Sequence, residues 1–252
     1  MEESISSRCF FMIPKNSIFI EDNINPLLSD LTDSMHLQDV GVAHPNRPET
    51  QDFIRHVFHH AHGAELAAFY PNILKFSNDA HIRAAVGYRD GCSDGLFSAQ
   101  YVDRPLHERA AECLGHSIAP SEMVEVGNLA ISDPGQSRWV IAATTVFLAA
   151  AGYRWVLFTA STPLANAFKR LGLKPLALAA ADPARLPDHG DSWGSYYAGH
   201  PQLYLGDIHA GLQKLQGLGS RRPHLHHLLG AAQRMGAEKV RKHGFPPVAA
   251  GG

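Results

Sequence analysis

Glu125 is the one charged residue in the apolar run from Met123 to Ile131, and Asn128 follows three positions later. A carboxylate held among apolar side chains is pushed towards a base's working range, because burial disfavours its charged form. Asn128 joins it as a catalytic candidate. Glu125 also fits a structural carboxylate paired with Arg83 or Arg89, or one turned to solvent. Read as a strand, the run puts Glu125, Gly127 and Leu129 on one face and Val124, Val126 and Asn128 on the other. Tyr196 and Tyr197, after Trp193-Gly194, are candidate proton donors or the packing and surface pair of a strand. Thr159 ends the apolar run from Tyr153, where open α/β sheets keep ligand contacts.

The segment Ser132-Asp133-Pro134-Gly135-Gln136-Ser137-Arg138 joins a predicted buried strand to a predicted helix. Free N–H groups and the positive end of the helix dipole make phosphate the natural ligand of such a turn, with Arg138 adding charge. The same pattern is also an ordinary cap, Ser132 or Asp133 before Pro134 at the first helical position. Neither a Walker loop nor a dinucleotide fingerprint is present. His56, His59, His60 and His62 share one predicted helix, but no His-Glu-x-x-His motif accompanies them, so they read as a solvated or half-buried face and no metal site is expected. Serine catalysis lacks its Gly-x-Ser-x-Gly elbow.

These residues need a frame. The pattern predicts a strand at 36–43, a helix at 48–62, strands at 72–77 and 81–88, a helix at 105–114 and a strand at 123–131. A helix to about Ala151, a strand at 153–159, a short helix at 163–171 and a strand at 175–179 follow. Strand, turn, helix, strand is a parallel crossover with a ligand turn at its first junction. Residues 1–35 read as an N-terminal lead-in, 36–206 as an α/β (α+β) domain, and 207–252 as a helical C-terminal extension. In that extension Leu225, Leu228, Leu229 and Ala232 share one face, which predicts that it folds back on the domain.

The chain has 252 residues, 45% hydrophobic, 18% charged, with a formal net charge of -2. Residues 211–252 hold seven basic side chains against Glu238 alone, an asymmetry that fits either a solvated face or an acidic partner. The longest apolar stretch, Trp139 to Ala151, is 13 residues long, short of the roughly 18 a membrane span needs. No integral membrane association is expected. The opening residues lack the basic and apolar regions of a signal peptide, and a cytoplasmic location is the expectation. Cys9, Cys92 and Cys113 suit neither a disulfide framework nor a zinc site.

Several short motifs then occur in order: His44-Pro45-x-Arg47-Pro48, His62-Gly63-Ala64, Gln100-Tyr101-Val102-Asp103, Val124-Glu125-Val126-Gly127-Asn128-Leu129-Ala130, Arg170-Leu171-Gly172-Leu173 and Trp193-Gly194-x-Tyr196-Tyr197. Together they closely resemble the bacterial thermostable haemolysin family over about residues 36–205. The resemblance implies a fold related to the GCN5-type N-acyltransferases and the acyl-homoserine-lactone synthases, a mixed sheet flanked by helices. It implies a cleft between the strands at 123–131 and 154–160 that holds a pantetheine arm. Leu129, Ala130 and Ile131 would then offer backbone to that arm, while Gly135, Gln136, Ser137 and Arg138 receive its phosphate. The chain departs from the acyltransferase pattern in its shortened phosphate turn and in Phe168, which stands where a tyrosine commonly protonates the leaving thiolate.

The expected activity is transfer of an acyl group from acyl-coenzyme A or an acyl-carrier protein to a small amine or amino acid. A membrane-active haemolysin and an acyl-thioester-binding module without catalysis are the alternatives. No specific nucleic-acid partner is expected. The sequence leaves the oligomeric state open.

Overall fold

The computed structural model describes residues 35–78, 81–221 and 223–243. The expected lead-in, Met35 excepted, lies outside the described residues, as do Cys9, Asp79 and Arg222. Seven strands, β1 (His36–Val40), β2 (Asn72–Asn78), β3 (His81–Asp90), β4 (Met123–Ile131), β5 (Trp155–Ala160), β6 (Leu176–Ala180) and β7 (Gln202–Asp207), form one sheet ordered β1-β2-β3-β4-β5-β7-β6. Only β4 and β5 pair in parallel. The helices are α1 (Arg47–His62), α2 (Leu106–Leu114), α3 (Ser137–Ala150), α4 (Thr162–Arg170), α5 (Ile208–Arg221) and α6 (Pro223–His243). This is the expected mixed sheet flanked by helices. The crossover β4–α3–β5 is as predicted, but β7 inserts between β5 and β6, so β6 ends as an edge strand.

Opposite faces of the sheet carry separate cores. On one, Val124 and Ile131 of β4 pack with Phe147 and Leu148 of α3 and Leu228 and Ala232 of α6. On the other, Ala85 and Ala130 pack with Ile54, Val57 and Phe58 of α1. Helix α3 is apolar nearly all round because it lies between the sheet and α6, which explains the 13-residue run that carries it. The tail folds back as its spacing predicts: Leu225, Leu228 and Ala232 are buried, and Leu229 packs beside them. Of its basic side chains, Arg234 lies on a solvated face but Lys239 does not. That ammonium reaches inward to Asp39 Oδ2 at 3.1 Å and sits 4.7 Å above the Tyr88 ring.

Strand β4 does not alternate along its whole length. Its register with β3 runs Ala84 to Ile131 and Ala85 to Ala130, then Gly87 to Gly127, so Asn128 and Leu129 together stand opposite Val86. Asn128 is left-handed, with φ 47°. Such a bulge resets the period-two pattern. Val124 and Val126 before it and Leu129 and Ile131 after it all face the α3 core. Asn128 therefore lies on the face of Glu125, correcting the simple alternation that put them on opposite sides.

Leu228 is fully buried, so Leu228→Ala is expected to lower the unfolding free energy by about 2–5 kcal/mol. Arg234→Ala, on the exposed side of the same helix, should stay within about 0.5 kcal/mol. Urea denaturation of the two variants checks this; equal, negligible shifts would mean that α6 adds nothing to the core.

Candidate functional site

The β4–β5 ladder stops at Val126 and Phe158. Beyond that point β4 bends away with its bulge while β5 stays paired with β7 through Ala160. The edge of β4 from Gly127 to Ile131 that faces β5 is left without a strand partner. A cavity of about 860 Å³ fills the fork and extends onto both faces of the sheet. On the α3 side, a back chamber is lined by Ile141, Thr144, Leu148, Phe168, Lys174 and Lys214. On the α1 side, a front chamber is lined by Phe58, His62, Tyr70, Arg89, Trp193 and Tyr196. Asn128, Leu129 and Thr159 stand at the fork between them.

The floor of the front chamber is Tyr70 lying on glycine. Gly87 and Gly127 are cross-strand partners, and a Cβ on Gly127 would come within 2.6 Å of the Tyr70 ring and hydroxyl. Only the missing side chains let the ring lie flat on the sheet. Tyr70 is fastened at each polar atom. Its N–H donates to Asn128 Oδ1 at 3.1 Å, and its C=O accepts from Arg47 Nη2 at 2.6 Å. Its phenol is hydrogen-bonded to Glu125. Burial and the neighbouring Glu125 charge raise that phenol well above the usual tyrosine value, against a smaller opposing effect of Arg89.

Glu125 is fully buried, and its carboxylate accepts the N–H groups of Phe97 at 2.9 Å and Ser98 at 2.6 Å. These begin the 3₁₀ turn Phe97–Tyr101, which walls the front chamber. A carboxylate whose lone pairs already take two amides and a phenol is a structural anchor. The geometry thus favours the structural alternative for Glu125 over the base, and the side chain does not line the cavity.

His62 closes α1, and the loop carrying Tyr196 docks on its carbonyl: Ser195 N–H donates to His62 O at 2.8 Å. Gly194 permits this approach, since a Cβ there would meet the same oxygen at 2.1 Å. The rings of His62 and Tyr196 consequently meet edge to face, 5.4 Å between centroids, and Tyr196 Oη points to Thr159 Oγ1 at 3.4 Å. Burial lowers the His62 imidazole from its ordinary value. It raises the Tyr196 phenol, opposed in part by the Thr159 contact.

The fork thus gathers Asn128, Leu129, Thr159 and Tyr196 of the sequence candidates. Tyr197 lies behind Tyr196, buried, its hydroxyl 2.5 Å from that of Tyr101. Ala130 and Ile131 are buried in the β3–β4 ladder beside the fork. Gly135, Gln136, Ser137 and Arg138 stand at the start of α3, outside the cavity lining. There Asp133 closes the turn: its Oδ1 accepts from Gly135 N and its C=O from Gln136 N, both at 2.9 Å. Two N–H groups suited to a phosphate are therefore already used, beside a carboxylate, as in the capping alternative. Sequence reasoning missed Tyr70, weighed Arg89 only as a partner for Glu125, and absorbed His62 into a histidine-rich helix face. The adjacency of His62 to Gly63 at the helix end was the signal available. Among the described residues no group of three or more His, Cys, Asp or Glu is placed to hold a metal.

The model of the thermostable hemolysin family matches residues 40–212. The chain belongs to this family. No curated protein matches it in sequence. Among solved structures, the family member is similar to a CoA-dependent acyl-homoserine lactone synthase, BjaI, with SAM and isopentyl-CoA. The likeness covers 75% of this chain and 90% of that one, at 13% identity and a TM-score of 0.51. The same synthase with MTA gives 13% identity over the same shares and a TM-score of 0.50. FeeM, an N-acyl amino acid synthase from uncultured soil microbes, gives 10% identity and a TM-score of 0.47, covering 71% of this chain and 95% of its own. At such identities the likeness to BjaI establishes the fold, that of the GCN5-related acyltransferases. The family name refers to lysis, yet among the described residues of this member no helix is long and apolar enough to cross a membrane.

Removing the Glu125 anchor strands the Phe97 and Ser98 amides and the Tyr70 phenol, each worth about 1–3 kcal/mol when buried without a partner. Glu125→Ala is therefore expected to cost at least about 3 kcal/mol of stability, and Glu125→Gln less, because its amide oxygen still accepts. Chemical unfolding of both variants tests this. A fully stable but inactive Glu125→Gln would return the residue to the role of base.

Proposed function

We propose that the protein is an acyltransferase that moves an acyl group from a phosphopantetheine thioester, on coenzyme A or an acyl-carrier protein, to a small amine or amino acid. The fork carries this reading. A partnerless buried strand edge needs hydrogen bonds from something, and an extended chain with amides spaced along it, as pantetheine is, supplies them. The back chamber adds a further polar contact, since Thr144 Oγ1 is buried there without a hydrogen-bond partner. Leu129, with Ala130 and Ile131 behind it, offers the strand edge to the arm. Lys174 and Lys214 line the cavity on that side and receive the phosphate.

With the thioester at the fork, the amine enters from the front. Its nitrogen attacks the thioester carbonyl, so that a C–N bond forms and the C–S bond breaks. His62 takes the amine proton, and Tyr196 gives its phenolic proton to the leaving sulfur, the task that Phe168 cannot perform. Both groups then exchange protons with solvent. Asn128, its oxygen engaged by Tyr70 N–H, offers its amide N–H groups to the tetrahedral oxyanion.

Thiol release from an acyl-coenzyme A in the presence of an amine panel tests the reading, and absence of thiol release with every amine overturns it. The pH profile tests the proton carriers. A base acts while neutral, and the His62 value is lowered, so its limb is expected below the ordinary imidazole value of about 6.5. There kcat/KM should rise with slope two, His62 and the amine both deprotonating, and above it with slope one. His62→Gln should remove the steeper limb and lower kcat about 100-fold or more. For the donor, reversing both lysines (Lys174→Glu with Lys214→Glu) should raise the donor KM about tenfold at low salt, the effect shrinking with added salt. Arg138→Glu should change it far less, unless the turn at 135–138 holds the phosphate.

A further inference from the structure

The front chamber is walled by aromatic rings and contains one permanent cation. Arg89 extends from β3 on the face of Gly87 and Gly127, and its guanidinium lies 5.2 Å over the Tyr70 ring centroid. Among the described residues its five N–H donors make one hydrogen bond, from Nη1 to the Gly95 carbonyl. Among the described residues no carboxylate lies within ion-pair distance of it. The nearby acid, Glu125, is committed to Phe97 N, Ser98 N and the Tyr70 phenol. Asp207, the one carboxylate in the cavity wall, belongs to the back chamber and is paired with Arg154 at 2.8 Å. A half-buried guanidinium in an apolar chamber, with donors to spare and, among the described residues, no carboxylate in ion-pair contact although Glu125 stands opposite it across the β3–β4 ladder, is matched by an anionic ligand group.

We infer that the front chamber binds an acceptor bearing a carboxylate, an amino acid, with Arg89 receiving the carboxylate and the amine directed to the fork. The inference rests on the reading of the cavity as an acyl-transfer site and narrows its acceptor. The rest of the chamber fits this class. His62 is the other ionisable nitrogen in the front wall, and burial keeps it neutral near pH 7, so it competes little for the carboxylate. Phe58, Phe97 and Trp193 give an apolar side chain somewhere to lie. The reaction joins the acceptor nitrogen to the acyl carbon and releases the thiol, leaving the carboxylate on Arg89 unchanged from substrate to product. The product is an N-acyl amino acid, whose own acyl chain occupies the fork.

The test compares amino acids with their carboxamides, which keep the amine and lose the charge. Thiol release from octanoyl-coenzyme A by the full-length protein is the kinetic readout. Wild type is expected to show kcat/KM at least about tenfold higher for the amino acid, and Arg89→Met to erase that preference by losing far more with the amino acid than with the carboxamide. Arg89→Lys should restore part of it. Equal use of amino acid and carboxamide by wild type, or equal losses for both in Arg89→Met, would overturn the inference and leave acyl transfer standing. Calorimetric titration with an N-octanoyl amino acid and its amide gives a readout independent of turnover. Preference for the acid that vanishes in Arg89→Met supports the site even if no amine releases thiol, and no preference overturns it. Thermal unfolding of Arg89→Met confirms that the variant is folded.

Discussion

The structure depends on one place where a β-ladder is not completed. Parallel strands in the middle of a sheet normally satisfy each other's backbone along their full length. Here β4 and β5 do so only as far as Val126 and Phe158. Asn128 takes the left-handed conformation, the bulge turns β4 towards β3, and β5 follows β7 instead. The cost of an open ladder falls on a few backbone groups inside a cavity. What it creates is a passage through the sheet, so that two ligands can approach one point from opposite faces without sharing a channel.

That passage stays open on the front side because Tyr70 is fixed from several directions. Asn128 holds its N–H, Arg47 its C=O, Glu125 its phenol, and paired glycines leave room for its ring. The arrangement couples distant segments. Arg47 belongs to the first turn of α1, whose last residue is His62, and Glu125 anchors the turn that begins at Phe97. The buried charges therefore set the positions of the chamber walls, and other side chains line the cavity. A change at Glu125 or Arg47 would alter the site by moving Tyr70 and Phe97.

Much of this frame was legible in the chain. Strand β4 could be read residue for residue, because its apolar run is bounded by Ser-Glu before and Ser-Asp-Pro-Gly after. Helix α6 could be read from the spacing of Leu225, Leu228 and Ala232. The insertion of β7 could not, since strand order is set by packing across the sheet and leaves no local mark. The bulge escaped for a related reason: Asn128 tolerates a positive φ, but nothing nearby shows that it adopts one. The family pattern pointed to the cleft between β4 and β5. It also pointed to the turn at 135–138, where Asp133 occupies the amides. Tyr70, His62 and Arg89 come together only through tertiary contacts, and a histidine among four on one helix carries no local sign of which one faces a cavity.

The last step concerns protonation. Two neighbouring groups in the front chamber are shifted in opposite directions by the same cause. Burial penalises the charged form of each, so the His62 imidazole loses its proton more readily and the Tyr196 phenol keeps its proton more firmly. Both are thus neutral around pH 7, one able to accept a proton and the other able to give one. No partner charge is needed to produce this pair, only the apolar walls. Glu125, the buried acid of the site, is held by the Phe97 and Ser98 amides and is turned away from the cavity. A chamber built this way can hold an acid and a base 5.4 Å apart, ring centre to ring centre, without their neutralising each other. A charged carboxylate in the wall would bind an amine as its ammonium ion, the form that cannot attack a thioester. In the proposed reaction, a front wall without acids that retains Arg89 would therefore favour the neutral amine at the same time as it admits an anion.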